Sequence, residues 1–141
     1  MTQPKIAVIG SGYWGKNLVR NFNELGALKL ICDKNETVIA QFNEQYPNVD
    51  TCYSLNEILT NQEIQGIVIA APAELHYTLA REAILAGKHV YVEKPLALNE
   101  AEGIDLIKLA EENKRVLMVG HLLQYHPVFR KLKDLVSNGE L

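Results

Sequence analysis

The sequence predicts a doubly wound α/β domain on one parallel sheet of about six strands. Three observations point there. Short apolar runs alternate with helix-length amphipathic stretches along all 141 residues. The links are short, which suits right-handed crossovers and the strand order 3-2-1-4-5-6. The first apolar run ends in Gly10-Ser11-Gly12-Tyr13-Trp14-Gly15, the spacing G-x-G-x-x-G.

Lys5–Gly10 is apolar without alternation, as expected of a strand buried on both faces. A helix follows over Tyr13–Leu25 and closes at Gly26. Leu28–Cys32 is the second strand and runs into Asp33. The helix Glu36–Tyr46 stops before Pro47, because the residue ahead of a proline is pushed out of the helical region. Thr51–Tyr53 is a short strand, and Ser54-Leu55-Asn56-Glu57 is a capping box opening a short helix. Gly66–Ala71 is the fourth strand, broken by Pro72. Glu74–Ala86 reads as a helix with Leu75, Leu79, Ala83 and Ala86 along one side. His89–Val92 is the fifth strand, Asn99 with Glu102 caps a helix to Asn113, and Arg115–Val119 is the sixth strand. Pro127–Asn138 forms the last helix.

A hydrophobic content of 48% with 22% charged residues suits one soluble domain with a proper core. Fourteen basic against 17 acidic residues leave no footprint for nucleic acid. Arg130, Lys131 and Lys133, with Asp134 among them, read as a solvated helix face. Cys32 and Cys52 read as small core residues, not as a disulfide or metal pair. No apolar run approaches the ~20 residues of a membrane span. The N-terminus shows no signal-peptide pattern, so a reducing cytoplasm is the expected compartment.

Ligands of such sheets bind at the carboxyl ends of the strands. That rule gathers Gly10–Gly15, Asp33, Ala71-Pro72, Glu93-Lys94-Pro95 and Gly120–Tyr125 on one rim. Gly10 allows a tight turn, Gly12 removes a Cβ that would hold off a pyrophosphate, and Gly15 lets the helix pack closely. The phosphates then meet free backbone N–H groups and the positive helix end, and Ser11 is a cofactor-binding candidate with the loop. Asp33 lies 18 residues after Gly15, where a carboxylate accepts from both adenosine ribose hydroxyls. It disfavours a 2′-phosphate and so favours NAD over NADP, although Lys34 beside it is a cation that would tolerate one. The alternative is a loop or helix-cap aspartate.

Tyr13 and Trp14 either flank the cofactor or pack on the first helix and later loops. Ala71 and Pro72 end a strand and leave carbonyls free near a ribose. His76 is either a partly exposed cap histidine or a contact to cofactor or substrate. Glu93 and Lys94 stand together where a strand leaves the sheet on the nicotinamide side. Lys94 there is placed to hold a substrate hydroxyl and stabilise charge as its proton leaves. Gln124 is a candidate for the nicotinamide amide, although its loop has packing under a neighbour as an equal reading. His121 and His126 have poor zinc spacing and no third ligand, so no metal site is expected.

Several of these residues resemble the N-terminal domain of the glucose–fructose oxidoreductase, inositol dehydrogenase and MocA (Gfo/Idh/MocA) family. The carriers are Gly10–Gly15, Ala70-Ala71-Pro72 with His76, and Ala86-Gly87-Lys88-His89-Val90 leading into Glu93-Lys94-Pro95-Leu96-Ala97. Ala71 stands where the family commonly has threonine, which removes one hydroxyl contact. The resemblance implies a nicotinamide-dependent sugar or polyol oxidoreductase with Lys94 near substrate and nicotinamide. Gly12–Asn17 and His121–Pro127 look like the branch that oxidises UDP-N-acetylglucosamine-type nucleotide sugars at C3.

The resemblance also implies a second, mostly antiparallel domain on the order of 200 residues. That domain would carry a histidine or aspartate motif, most sugar contacts and a homo-oligomer interface. The expectation is therefore a Rossmann domain over 1–120, with 121–141 as connecting loop and helix toward a substrate domain absent from this chain. Such a chain would bind NAD with little or no turnover. Without a partner, its last helix would expose Val128, Leu132, Leu135 and Val136. The alternative function is a non-enzymatic NAD sensor or regulatory module of the same fold.

Overall fold

A computed structural model describes residues 3–141. Its centre is β1 (Ile6–Ile9), paired on one side with β2 (Leu28–Cys32) and on the other with β4 (Gly66–Ile69). β3 (Asp50–Cys52) extends the sheet beyond β2, and β5 (His89–Val92) and β6 (Leu117–Val119) extend it beyond β4. All pairings are parallel and the order is β3-β2-β1-β4-β5-β6, the order the sequence predicts.

Successive strand residues point to opposite faces, so each apolar run fills two cores at once. Ala7, Ile9, Ile67, Ile69, Val90 and Val92 pack on one face with α3 (Leu55–Thr60), α4 (His76–Leu85) and α5 (Glu100–Glu112). Val8, Ile31 and Val68 pack on the other with Val19 of α1 (Gly15–Glu24) and Ile39 and Phe42 of α2 (Glu36–Gln45). Each of the valine, isoleucine and phenylalanine side chains contributes roughly 1.5–3 kcal/mol by leaving water. Cys32 and Cys52 face each other in the β2–β3 register, both free and buried. The neighbouring Cys52 first, then burial, pushes the Cys32 thiol up, and Cys32 in turn holds the Cys52 thiol down.

The departures from the sequence reading sit at element ends. α1 begins at Gly15 rather than Tyr13, leaving Tyr13 and Trp14 in the turn ahead of it. Ala73–Leu75 form a 3-10 turn after Pro72, closed by Leu75 N–H donating to the Pro72 carbonyl, and α4 proper starts at His76. Ser54 does cap α3, but its hydroxyl accepts from Asn56 N–H rather than from Glu57. Asn99 caps α5 by accepting from Glu102 N–H. β6 starts late, since Val116 N–H goes to the His89 ring instead of the ladder. Leu122–Tyr125 form a 3-10 turn within the loop that follows β6. α6 (Pro127–Ser137) buries none of its residues, and Val128, Phe129, Leu132 and Val136 are exposed. Among the described residues, no helix is long and apolar enough to cross a membrane.

Candidate functional site

The three glycines of the loop have different surroundings. Gly10 has φ +82°, and a Cβ there would sit 2.7 Å from Ala71 N, so this one position needs both the left-handed backbone and the missing side chain. A Cβ on Gly15 would stand 1.9 Å from the Gly10 carbonyl oxygen. A Cβ on Gly12 would meet nothing within 4 Å. The loop is thus tight on the protein side and open on the solvent side. No side chain caps the N-terminus of α1, so its positive dipole end faces that opening, while Lys16 and Asn17 N–H already donate to the Gly12 and Trp14 carbonyls. This cradle fits a pyrophosphate.

Asp33 holds the loop from the end of β2. Its Oδ2 accepts from Ser11 N–H at 2.8 Å and from Ser11 Oγ–H at 3.1 Å. Its Oδ1 accepts from Asn35 N–H at 2.9 Å. The cap of α2 is Asn35, which accepts from Thr37 and Val38 N–H, so Asp33 is not that helix's cap. Lys34 is exposed beside it.

A cavity of about 1050 Å³ opens on the other side of the glycine loop. Tyr13 and Trp14 wall it from the loop, Ala71 and His76 from the end of β4, Glu93 and Lys94 from the end of β5, and Gln124 and Phe129 from beyond β6. Seven of the predicted site residues therefore converge here. Gly10, Ser11, Gly12, Gly15, Asp33, Lys34 and Pro72 lie outside its lining, all but Pro72 along the β1–β2 side. A dinucleotide is long enough to need both regions. Tyr13 is 85% exposed, and the ammonium of Lys16 on α1 lies 5.1 Å over its ring.

Two expectations are corrected. Ala71 and Pro72 do not leave their carbonyls free: the Ala71 oxygen faces His76 Nε2 at 2.8 Å, and the Pro72 oxygen accepts from Leu75 N–H at 2.9 Å. His76 is not a partly exposed cap. Its side chain is buried, and Nδ1 lies 2.6 Å from the Pro95 carbonyl oxygen.

Glu93 is buried at the end of β5, while Lys94, the next residue, is exposed and has no carboxylate partner among the described residues. Glu93 Oε1 accepts from the Tyr91 hydroxyl at 3.0 Å and Oε2 from Lys94 N–H at 3.3 Å. Burial first, then the Glu93 carboxylate, pushes the Tyr91 phenol up to about 12, so it stays a donor. Gly120 makes room for this pair, since a Cβ there would lie 2.6 Å from the Tyr91 hydroxyl. The Lys94–Pro95 peptide is cis. Tyr91 carries no signal of its own in the sequence, although its place in β5, two residues before Glu93, puts both side chains on one side of the chain.

Residues 4–121 match the model of the Gfo/Idh/MocA oxidoreductase family, NAD-binding Rossmann fold. This chain belongs to that family. It is similar to scyllo-inositol 2-dehydrogenase (NADP(+)) of Bacillus subtilis, at 30% identity over 97% of this chain and 38% of the relative. It is similar to UDP-N-acetylglucosamine 3-dehydrogenase of Acidithiobacillus ferrooxidans, at 28% identity over 95% of this chain and 42% of the relative. Among solved structures, GenD2 from gentamicin A biosynthesis in complex with NAD superposes with a TM-score of 0.90, at 27% identity, covering 99% of this chain and 40% of that one. The chain thus spans about two fifths of the length of these Gfo/Idh/MocA relatives. It is an NAD-binding oxidoreductase domain, and its homologues include sugar dehydrogenases.

Proposed function

We propose that this chain is the cofactor-holding part of a dehydrogenase that oxidises a secondary alcohol of a sugar, in particular a nucleotide sugar. The observation that carries the reading is the place of Lys94: an exposed ammonium, with no carboxylate partner among the described residues, on a cavity whose opposite wall is the glycine loop. The relative that acts on UDP-N-acetylglucosamine supports the nucleotide-sugar class. In this reading the glycine loop and the start of α1 hold the pyrophosphate, and Asp33 and Lys34 flank the adenosine ribose. Trp14, Ala71, Glu93 and Gln124 surround the nicotinamide end. When bound, NAD supplies a hydride acceptor.

The chain's own part in catalysis falls to Lys94. Its ammonium donates a hydrogen bond to the substrate hydroxyl oxygen and stabilises the negative charge that develops as the hydroxyl proton leaves. Tyr91 keeps the Glu93 carboxylate turned back toward β5, so it does not neutralise that ammonium. The base that takes the proton and most sugar contacts belong to a further domain, which also carries the homo-oligomer interface. The chain alone binds NAD with little or no turnover.

Calorimetric titration of the chain with NAD and with NADP, beside a rate assay with UDP-N-acetylglucosamine, tests the reading. NAD should bind at least about tenfold more tightly, a difference of about 1.4 kcal/mol. Brisk turnover by these 141 residues alone would defeat the proposal of a second domain. In the longer protein, Lys94→Ala should abolish turnover and leave NAD affinity nearly intact. Full activity of that variant would remove the catalytic role of Lys94.

A further inference from the structure

His76 carries a hydrogen-bond pattern that a cofactor contact does not need. Its ring is 2% exposed, and buried polar atoms must be paired or they cost stability. Both ring nitrogens face main-chain carbonyl oxygens, Nδ1 the Pro95 oxygen at 2.6 Å and Nε2 the Ala71 oxygen at 2.8 Å. A carbonyl oxygen only accepts, and a neutral imidazole carries one N–H, so the ring donates to one of the two oxygens at a time and to both together only with a proton on each nitrogen. Nothing on the imidazole is left over for a ligand.

The two carbonyls belong to different walls of the cavity. Ala71 follows β4, and Pro95 follows Lys94 at the end of β5. The β4–β5 ladder ends with Glu93 N–H donating to the Ile69 carbonyl. Past that bond each segment runs into a proline, Pro72 or Pro95, which has no N–H to continue the pairing. Among the described residues, no other hydrogen bond joins the two segments beyond the ladder. The buried ring replaces the missing rungs.

We propose that His76 is a two-sided clamp, a positioning residue that fixes the Lys94 segment against the end of β4. Its consequence for chemistry rests on the reading of Lys94 given above, while the clamp itself does not. The lysine's flexible stem then starts from a fixed point. Without the clamp, Lys94 and Pro95 are held only by the last ladder bond before them, the Lys94 N–H bond to Glu93 and the packing of Leu96 after them.

Two conservative variants separate the two halves. In His76→Asn the amide nitrogen takes the place of Nδ1 and keeps the Pro95 bond. In His76→Gln it takes the place of Nε2 and keeps the Ala71 bond. Amide hydrogen exchange on the chain, followed by NMR, reads both ends. His76→Gln should speed exchange over Glu93–Ala97 about tenfold and spare Ala73–Leu75, and His76→Asn should do the reverse. Exchange in β1 and β2 should stay unchanged in both, which a merely structural loss would not allow. A variant that matches the parent protein at both ends would overturn the two-sided clamp. So would equal loosening at both ends in both variants. Should the clamp pass while Lys94→Ala keeps full activity in the longer protein, the reading of Lys94 fails and the clamp stands.

Discussion

Asp33→Asn tests the brace between β2 and the glycine loop with the smallest change of shape. The carboxylate has an N–H donor on each side: Ser11 N–H on Oδ2 at 2.8 Å and Asn35 N–H on Oδ1 at 2.9 Å. An asparagine amide has one oxygen, so either orientation aims its NH2 at a main-chain N–H. The Ser11 hydroxyl can turn to accept, but neither backbone donor can. One hydrogen bond to a charged group is lost and one half-buried donor is stranded, together about 1.5–3 kcal/mol. At this chain length that lowers the thermal midpoint by roughly 5–12 °C. Loss of the ribose contact weakens NAD by about ten- to a hundredfold, at about 1.4 kcal/mol per decade. NADP should weaken far less, since the charge that opposes its 2′-phosphate is gone. Thermal unfolding followed by circular dichroism reads the first effect and calorimetry the second. A variant with the midpoint and both affinities of the parent would show that the brace holds nothing and that Asp33 does not face the ribose.

Three other outcomes follow from the geometry. Gly15→Ala places a methyl 1.9 Å from the Gly10 oxygen, where an ordinary contact needs about 3.4 Å, so α1 must move by about 1.5 Å; the chain should lose at least 1–3 kcal/mol in urea unfolding and most of its NAD affinity. Tyr91 releases its proton near 12 in the fold and near 10 when unfolded, so the fold binds the proton more tightly: its stabilising contribution is whole below pH 10 and is lost as pH rises toward 12. Tyr91→Phe should erase that part of the pH dependence, read from urea midpoints at pH 9 and 11.5. Val128, Phe129, Leu132 and Val136 lie exposed on α6, so the chain should associate as concentration rises in sedimentation velocity, and Leu132→Glu should return it to monomer.

The sheet was legible because its signal is redundant. Each buried strand is an unbroken apolar run, and each is followed by a punctuating residue such as Gly10, Asp33 or Pro72. The rim was legible for the same reason: in a parallel sheet every strand end points the same way, so finding the strands finds the site. Side-chain partners were not. Asp33 stands where a ribose carboxylate belongs, but its bonds to Ser11 depend on how β1 and β2 align, which no local pattern encodes. His76 looked like a surface cap because helix starts are usually wet. Its burial comes from Pro95, 19 residues away, folding over it. Tyr91 was passed over as one more strand aromatic, since only the absence of a side chain at Gly120 gives it a polar neighbour to serve.

The unequal surroundings of the three loop glycines have a consequence for how this motif tolerates change. Gly10 and Gly15 are pressed by main chain, whereas Gly12 faces empty space and has no left-handed φ. A library of variants selected only for folding would keep the first and third and let the second drift. The same library selected for nucleotide binding would keep all three. Read from folding survivors, the fingerprint would shrink to G-x-x-x-x-G, and its middle letter would be recovered only under demand for the ligand.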